Sequence, residues 1–191
     1  IKFINDEPFL LVTSHRRENI LNKLSLKNIV DLINSSDKKV VFPMGYATQR
    51  QIKEFGLNLN DNVLVVDPIG YLEFIYLLKK SQYCISDSGT VIEEACILNI
   101  PSIQMRYSTE RPEVYEVGSS IKFDPTIEEQ KFQDVHLMAD SLNNSKWSHP
   151  FGDGTSSKVI VEDLIDLSKN NKFHTHNKED YDFDISRSFL Q

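Results

Sequence analysis

Cysteine is nearly absent: Cys84 and Cys96 are the only two in 191 residues. Neither belongs to a CxxC pair or has a histidine at metal-ligand spacing, and both lie in apolar surroundings. Disulfide staples and a metal site are therefore not expected, and buried free thiols fit a reducing cytoplasm. An excess of basic residues is also lacking. The formal charge of −7 leaves no net basic face for nucleic acid or an acidic membrane. No apolar run approaches the length needed to cross a bilayer. The opening Ile1-Lys2-Phe3-Ile4-Asn5-Asp6-Glu7 has neither an initiator Met nor the pattern of a signal peptide, and reads as a piece cut from something longer. No internal repeat or low-complexity tract is evident.

What is present is a regular alternation. With 40% hydrophobic residues the chain suits one substantial soluble domain. Apolar runs at Phe9–Thr13, Lys39–Met44, Asn62–Asp67, Tyr83–Ser86 and Pro101–Met105 predict short buried strands, with Ser119–Phe123 as a weaker sixth. Helical patterns at Asn22–Asn34, Thr48–Phe55, Tyr71–Lys80, Val91–Leu98, Pro112–Val117, Ile127–Leu142 and Thr155–Lys169 lie between and after them. Strands alternating with helices predict an α/β fold, a Rossmann-like doubly wound parallel sheet spanning residues 1–169. Residues 170–191 turn polar and aperiodic and read as an extension or tail. In that tail His174 and His176 alternate without a further ligand nearby, and Ile185, Phe189 and Leu190 are candidates for docking on a surface.

Such a sheet binds ligands beyond the carboxyl ends of its strands. Four polar segments fall there: His15-Arg16-Arg17-Glu18-Asn19, Asp67-Pro68-Ile69-Gly70, Asp87-Ser88-Gly89-Thr90 and Arg106 through Glu113. The third carries the most chemistry. It is a small-residue turn opening a helix with Glu93 and Glu94, and free backbone N–H groups with the positive end of the dipole suit a diphosphate there. Ser88 adds a hydroxyl, Gly89 permits close approach, and a glutamate one turn on can accept from ribose hydroxyls. The same residues equally suit a plain helix cap, with Asp87 and Ser88 capping and the glutamates complementing the dipole.

His15, flanked by Arg16 and Arg17, is a candidate acid, base or anion ligand, or else a solvated loop histidine. Arg106 and Arg111 match phosphate oxygens, or else form salt bridges to Glu110 and Glu113. Ile69 to Tyr71 can offer main chain to a base edge, or be a plain loop before a helix. Pro150-Phe151-Gly152-Asp153-Gly154 reads as a turn and helix start.

Taken together, Val12 through Asn19, Asp87-Ser88-Gly89 through Glu94, Thr109-Glu110-Arg111-Pro112-Glu113 and Pro150 through Gly154 resemble the C-terminal half of the UDP-N-acetylglucosamine 2-epimerases, over roughly residues 8 to 168. The resemblance implies one half of a GT-B-like two-domain enzyme, with the substrate between two Rossmann-like domains. It implies UDP in this half: Ser88 and Gly89 at the diphosphate with Arg111 assisting, Glu94 at the ribose, and Ile69 to Tyr71 at the uracil. Arg16, Thr90 and Arg106 complete the set of candidate substrate-binding residues. His15 matches the active-site histidine. No cofactor is implied. The partners implied are a UDP-sugar, the N-terminal domain absent here, and a second copy in a homodimer.

Two departures stand out. Thr90 occupies a position where the family often has glycine, which narrows the turn's backbone freedom. Phe42-Pro43-Met44-Gly45-Tyr46-Ala47-Thr48 lacks the histidine and arginine that many relatives carry after this strand and that serve an activating UDP-sugar site in some. The implied reaction interconverts UDP-GlcNAc and UDP-ManNAc for surface polysaccharide synthesis. The alternatives are a hydrolysing epimerase, an epimerase of another UDP-amino sugar such as a fucosamine precursor or diacetamido uronate, a GT-B glycosyltransferase, and a non-catalytic nucleotide-sugar sensor.

Overall fold

A computed structural model describes residues 7–170 and residue 172. The expectations for the opening residues 1–6 and for His174, His176, Ile185, Phe189 and Leu190 lie outside them. The chain divides into two compact units, Ile1–Phe151 and Gly152–Gln191.

The first unit is a six-stranded sheet: β1 (Phe9–Thr13), β2 (Lys39–Pro43), β3 (Val63–Val66), β4 (Cys84–Ser86), β5 (Ser102–Met105) and β6 (Ser120–Phe123). All neighbours run parallel, in the order β3-β2-β1-β4-β5-β6. Between them lie α1 (Arg17–Ile20), α2 (Lys23–Asn34), α3 (Tyr46–Glu54), α4 (Tyr71–Lys80), α5 (Gly89–Ile97), α6 (Glu113–Glu116) and α7 (Phe132–Leu142). The second unit contains α8 (Ser156–Lys169), preceded by a turn in which Asp153 accepts from the Thr155 N–H at 3.0 Å.

Side-chain alternation along the strands builds two apolar layers. Leu10, Val12, Val40, Phe42, Ile85, Ile103 and Met105 face one side, where they meet Leu26, Ile29 and Ile33 of α2, Ile52 of α3 and Ala139 of α7. Phe9, Leu11, Val41 and Cys84 face the other, against Leu77 and Leu78 of α4, Ile92, Ala95 and Cys96 of α5 and Val114 of α6. The chain thus winds helices onto one face after β1 and β2 and onto the other after β3, β4 and β5. At about 25 cal/mol per Å² of apolar surface, strands covered on both sides give the sheet its stability and hold its carboxyl edge rigid.

Local signals set the helix ends. Asn22 caps α2, its side chain accepting from the Ser25 N–H at 3.1 Å. After α5 the chain reverses through Asn99, whose φ of 58° is left-handed, and the Ile100 N–H bonds back to the Ala95 carbonyl at 2.9 Å. Cys84 and Cys96 are buried free thiols; burial pushes Cys84 up to about 12, which makes it inert.

Two expectations need correction. The His15–Asn19 loop contains a helical turn, α1, which no hydrophobic period announces and which tertiary contacts hold. The helix expected from Ile127 begins at Phe132. The Asn28 side chain takes the carbonyls of Pro125 and Ile127 at 2.9 and 2.8 Å, and the Gln130 amide takes those of Asp124 and Ile127, so this stretch closes as a turn. No helix among the described residues is long and apolar enough to cross a membrane.

Candidate functional site

The strand order reverses between β1 and β4, and a crevice opens beyond their carboxyl ends. Asp87, just past β4, organises its floor. The residue is fully buried, and its carboxylate accepts from the Ser14 hydroxyl at 2.9 Å, the His15 N–H at 3.0 Å, the Arg16 N–H at 3.0 Å and the Asn19 amide at 3.2 Å. Asn19 also donates to the Met105 carbonyl at 3.0 Å. The Thr48 hydroxyl fixes the same loop from α3 by donating to the Ser14 carbonyl at 2.7 Å. One buried carboxylate therefore ties the segment after β1 to the ends of β4 and β5. Charge-assisted bonds of this kind each contribute about 1.5–3 kcal/mol.

His15 emerges from this knot with its side chain 58% exposed and its Nδ1 3.5 Å from the Asp87 Oδ1. It lines a cavity of about 490 Å³ together with Thr13, Pro43, Gly45, Pro68, Ile69, Tyr71, Phe74, Thr90, Val91 and Glu94. That volume suits a small-molecule ligand. Five of the sequence-predicted residues, His15, Ile69, Tyr71, Thr90 and Glu94, come together here from three strand-to-helix connections.

At the head of the nine-residue α5, Ser88 is the N-cap; its hydroxyl oxygen accepts from the Val91 N–H at 3.5 Å and keeps its own proton to donate. Gly89 is buried at the first helical position. Glu94, one turn on, faces Tyr71. Partial burial raises its carboxyl above the ordinary value, the Tyr71 hydroxyl opposing and the Glu93 charge adding. The Tyr71 phenol is raised in turn, by its hydrogen bond to Glu94 first and by that carboxylate's charge second.

The arginines do not line the cavity. They form a cluster beside the head of α5. Arg16 donates from Nε to the Asp87 carbonyl at 3.2 Å and from Nη2 to Glu110 at 3.1 Å. Arg106 donates to the other Glu110 oxygen at 2.5 Å. Arg111 pairs with Glu93 and donates to the Glu110 carbonyl at 2.9 Å; of the salt bridges weighed as the alternative, the one to Glu110 is present, made by Arg106. Sequence reasoning missed the part played by Asp87, taken only as a capping residue, and that of Asn19. It also missed Pro43 and Gly45 as lining, having noted that segment only for the basic residues it lacks.

A family model for UDP-N-acetylglucosamine 2-epimerase matches residues 1–165. The chain belongs to this family. A UDP-N-acetylglucosamine 2-epimerase of Methanocaldococcus jannaschii is 40% identical over 167 residues, 83% of this chain and 45% of that protein. The crystal structure of the Methanocaldococcus jannaschii UDP-GlcNAc 2-epimerase in complex with UDP-GlcNAc and UDP superposes with a TM-score of 0.72 at 38% identity, covering 86% of this chain and 47% of that one. The glycosyltransferase of kitacinnamycin, at 16% identity and a TM-score of 0.53, covers 85% of this chain and 38% of its own and shares the fold alone. The fold is thus the α/β architecture of GT-B-like epimerases and glycosyltransferases, and the chain spans about half the length of the curated relatives it matches.

Proposed function

We propose that this chain is the UDP-binding C-terminal domain of a UDP-N-acetylglucosamine 2-epimerase. The observation that carries the reading is the convergence of His15, Tyr71, Thr90 and Glu94 on one cavity at the strand-order reversal, with the amino end of α5 beside it. A nucleoside diphosphate sugar satisfies each feature. Main chain at Ile69 to Tyr71 meets the uracil edge. Glu94, as a carboxylate, accepts from the ribose hydroxyls. The diphosphate lies against Ser88, Gly89 and Thr90, where backbone N–H groups and the helix dipole stabilise negative charge without reorganisation. Arg16, Arg106 and Arg111 lie near enough to add guanidinium charge.

The reaction has a leaving group that this half is built to receive. Loss of the proton at C2 and cleavage of the C1–O bond release UDP and leave a glucal; return of a proton to the opposite face of C2, with the C1–O bond re-formed, gives UDP-ManNAc. Stabilising the departing diphosphate is electrostatic work for α5 and the arginines, and His15 stands at the sugar end as acid, base or anion ligand. The carboxylates that move the C2 proton belong to the N-terminal half, so residues 1–191 alone bind UDP weakly and do not turn over. The enzyme acts in the cytoplasm as a homodimer, supplying surface polysaccharide precursors. The alternative within the family is epimerisation of another UDP-amino sugar or hydrolytic release of UDP, which the absence of basic residues from Phe42 through Thr48 keeps open.

Incubating the full-length protein with UDP-GlcNAc in deuterated water tests the reading. Deuterium at C2 with UDP retained on the sugar supports it. Deuterium in free N-acetylmannosamine points to the hydrolysing type, acceptor-dependent UDP release to a glycosyltransferase, and none of these to a sensor.

A further inference from the structure

The carboxylate of Glu110 sits where the reading above puts a phosphate. A Cβ built on Gly89 would lie 2.7 Å from Glu110 Oε1, so this carboxylate rests directly against the first residue of α5. The same oxygen receives Arg16 Nη2 at 3.1 Å and its twin receives Arg106 Nη1 at 2.5 Å. Both arginines are therefore paired with one tethered carboxylate beside a helix amino terminus, Arg16 also lying 3.8 Å from Glu18. The contacts match what a terminal phosphate would make: two guanidinium groups, the close approach that glycine permits, and the positive end of the dipole.

We propose that Glu110 is a built-in counter-anion at the diphosphate site, exchanged for the incoming diphosphate, which takes over Arg16 and Arg106 as the carboxylate swings into solvent. The proposal rests on the UDP reading. Its geometry makes the exchange feasible. The Glu110 side chain is 44% exposed while that of Arg106 is 11% exposed, so the anion is the partner free to leave and the arginine the one held in place. Glu110 belongs to a turn closed by the Arg111 N–H bonding to the Thr109 hydroxyl at 3.1 Å, which lets the side chain rotate without disturbing β5. Burial alone would raise its carboxyl, but its own backbone N–H and the charges of Arg106 and Arg16 outweigh this and hold it below its ordinary value, so it stays an anion at neutral pH. The device has two effects. It keeps the guanidinium groups oriented and paired, and it subtracts from UDP affinity, because each binding event must first displace a competitor of high effective concentration.

Calorimetric titration of the full-length enzyme and its Glu110→Gln variant with UDP and with uridine tests this. The amide keeps the side chain's size and removes its charge. Expected is a UDP Kd about 5–10-fold lower in the variant, with uridine binding unchanged because uridine carries no phosphate. UDP affinity equal to or weaker than wild type overturns the proposal and leaves the nucleotide reading intact. A wild-type enzyme that binds neither UDP nor uridine overturns both. If the variant's melting temperature is lowered, Glu110→Ser provides the second test: the same tightening supports the exchange, and its absence in both variants sinks it.

Discussion

Two carboxylates on one rim of the sheet gather clusters of donors, yet they behave as opposites. Asp87 is wholly buried and takes its bonds mainly from main chain and short polar side chains. Glu110 is half in water and takes its bonds from two arginine side chains. A buried carboxylate with its lone pairs filled cannot leave without stranding its donors, whereas an exposed one exchanges its partners at little cost. The rim therefore combines a fixed floor with a replaceable anion, and Arg16 bonds to both.

The contrast breaks most visibly if Asp87 is removed. Asp87→Ala is expected to cost about 3 kcal/mol or more in stability by leaving buried donors unpaired, and to abolish UDP binding by releasing the loop that carries His15. Glu110→Ala, measured in the same urea titration, should cost under about 1 kcal/mol. Similar losses for the two would erase the distinction between floor and exchangeable anion. Glu94→Gln sharpens the picture inside the cavity. UDP should bind about tenfold more weakly, and because the carboxyl is raised above its ordinary value, wild-type affinity should fall off with acid at a pH higher than an ordinary glutamate would give, a dependence the variant lacks. Thr48→Val removes the bond from Thr48 of α3 to the Ser14 carbonyl and should cost about 1 kcal/mol, with UDP affinity reduced less than by Asp87→Ala.

The smallest effect lies away from the rim. His136 is buried between the Tyr83 hydroxyl, 2.7 Å from its Nδ1, and the Leu32 carbonyl, 2.8 Å from its Nε2. Nε2 carries the proton and donates to the carbonyl, while Nδ1 accepts from Tyr83. Burial lowers the pKa of His136, the nearby Lys38 charge adding to it. Between the lowered value and about pH 6.5 the unfolded chain binds more protons, so this contribution to stability is full above about pH 6.5 and declines as pH falls toward the lowered value. Urea midpoints between pH 5 and 7.5 should follow this slope, and His136→Gln should flatten it.

How far the residues disclosed this arrangement varies by level. All six strands were legible because each is a short apolar run, and α4 and α5 because their apolar positions and flanking small residues mark their ends. The turn α1 was not, since Arg17-Glu18-Asn19-Ile20 has no period and is held by a carboxylate some seventy positions away. Ser88 was readable as a cap from its neighbours. Asp87 was misjudged as another cap because every partner of its side chain is distant in sequence. The late start of α7 has the same origin, Asn28 claiming carbonyls that the local pattern assigned to a helix. Reading the arginines as anion ligands fitted their chemistry, but their pairing through Glu110 and Glu93 required the fold.

The reversal of strand order between β1 and β4 has one more implication. Because the crevice arises from chain direction, its depth owes little to the particular side chains at Pro43, Gly45, Phe74 or Thr90. Descendants of such a protein can explore new ligands by swapping those decorations while the layered interior stays untouched, so that innovation at the mouth is uncoupled from the integrity of the body.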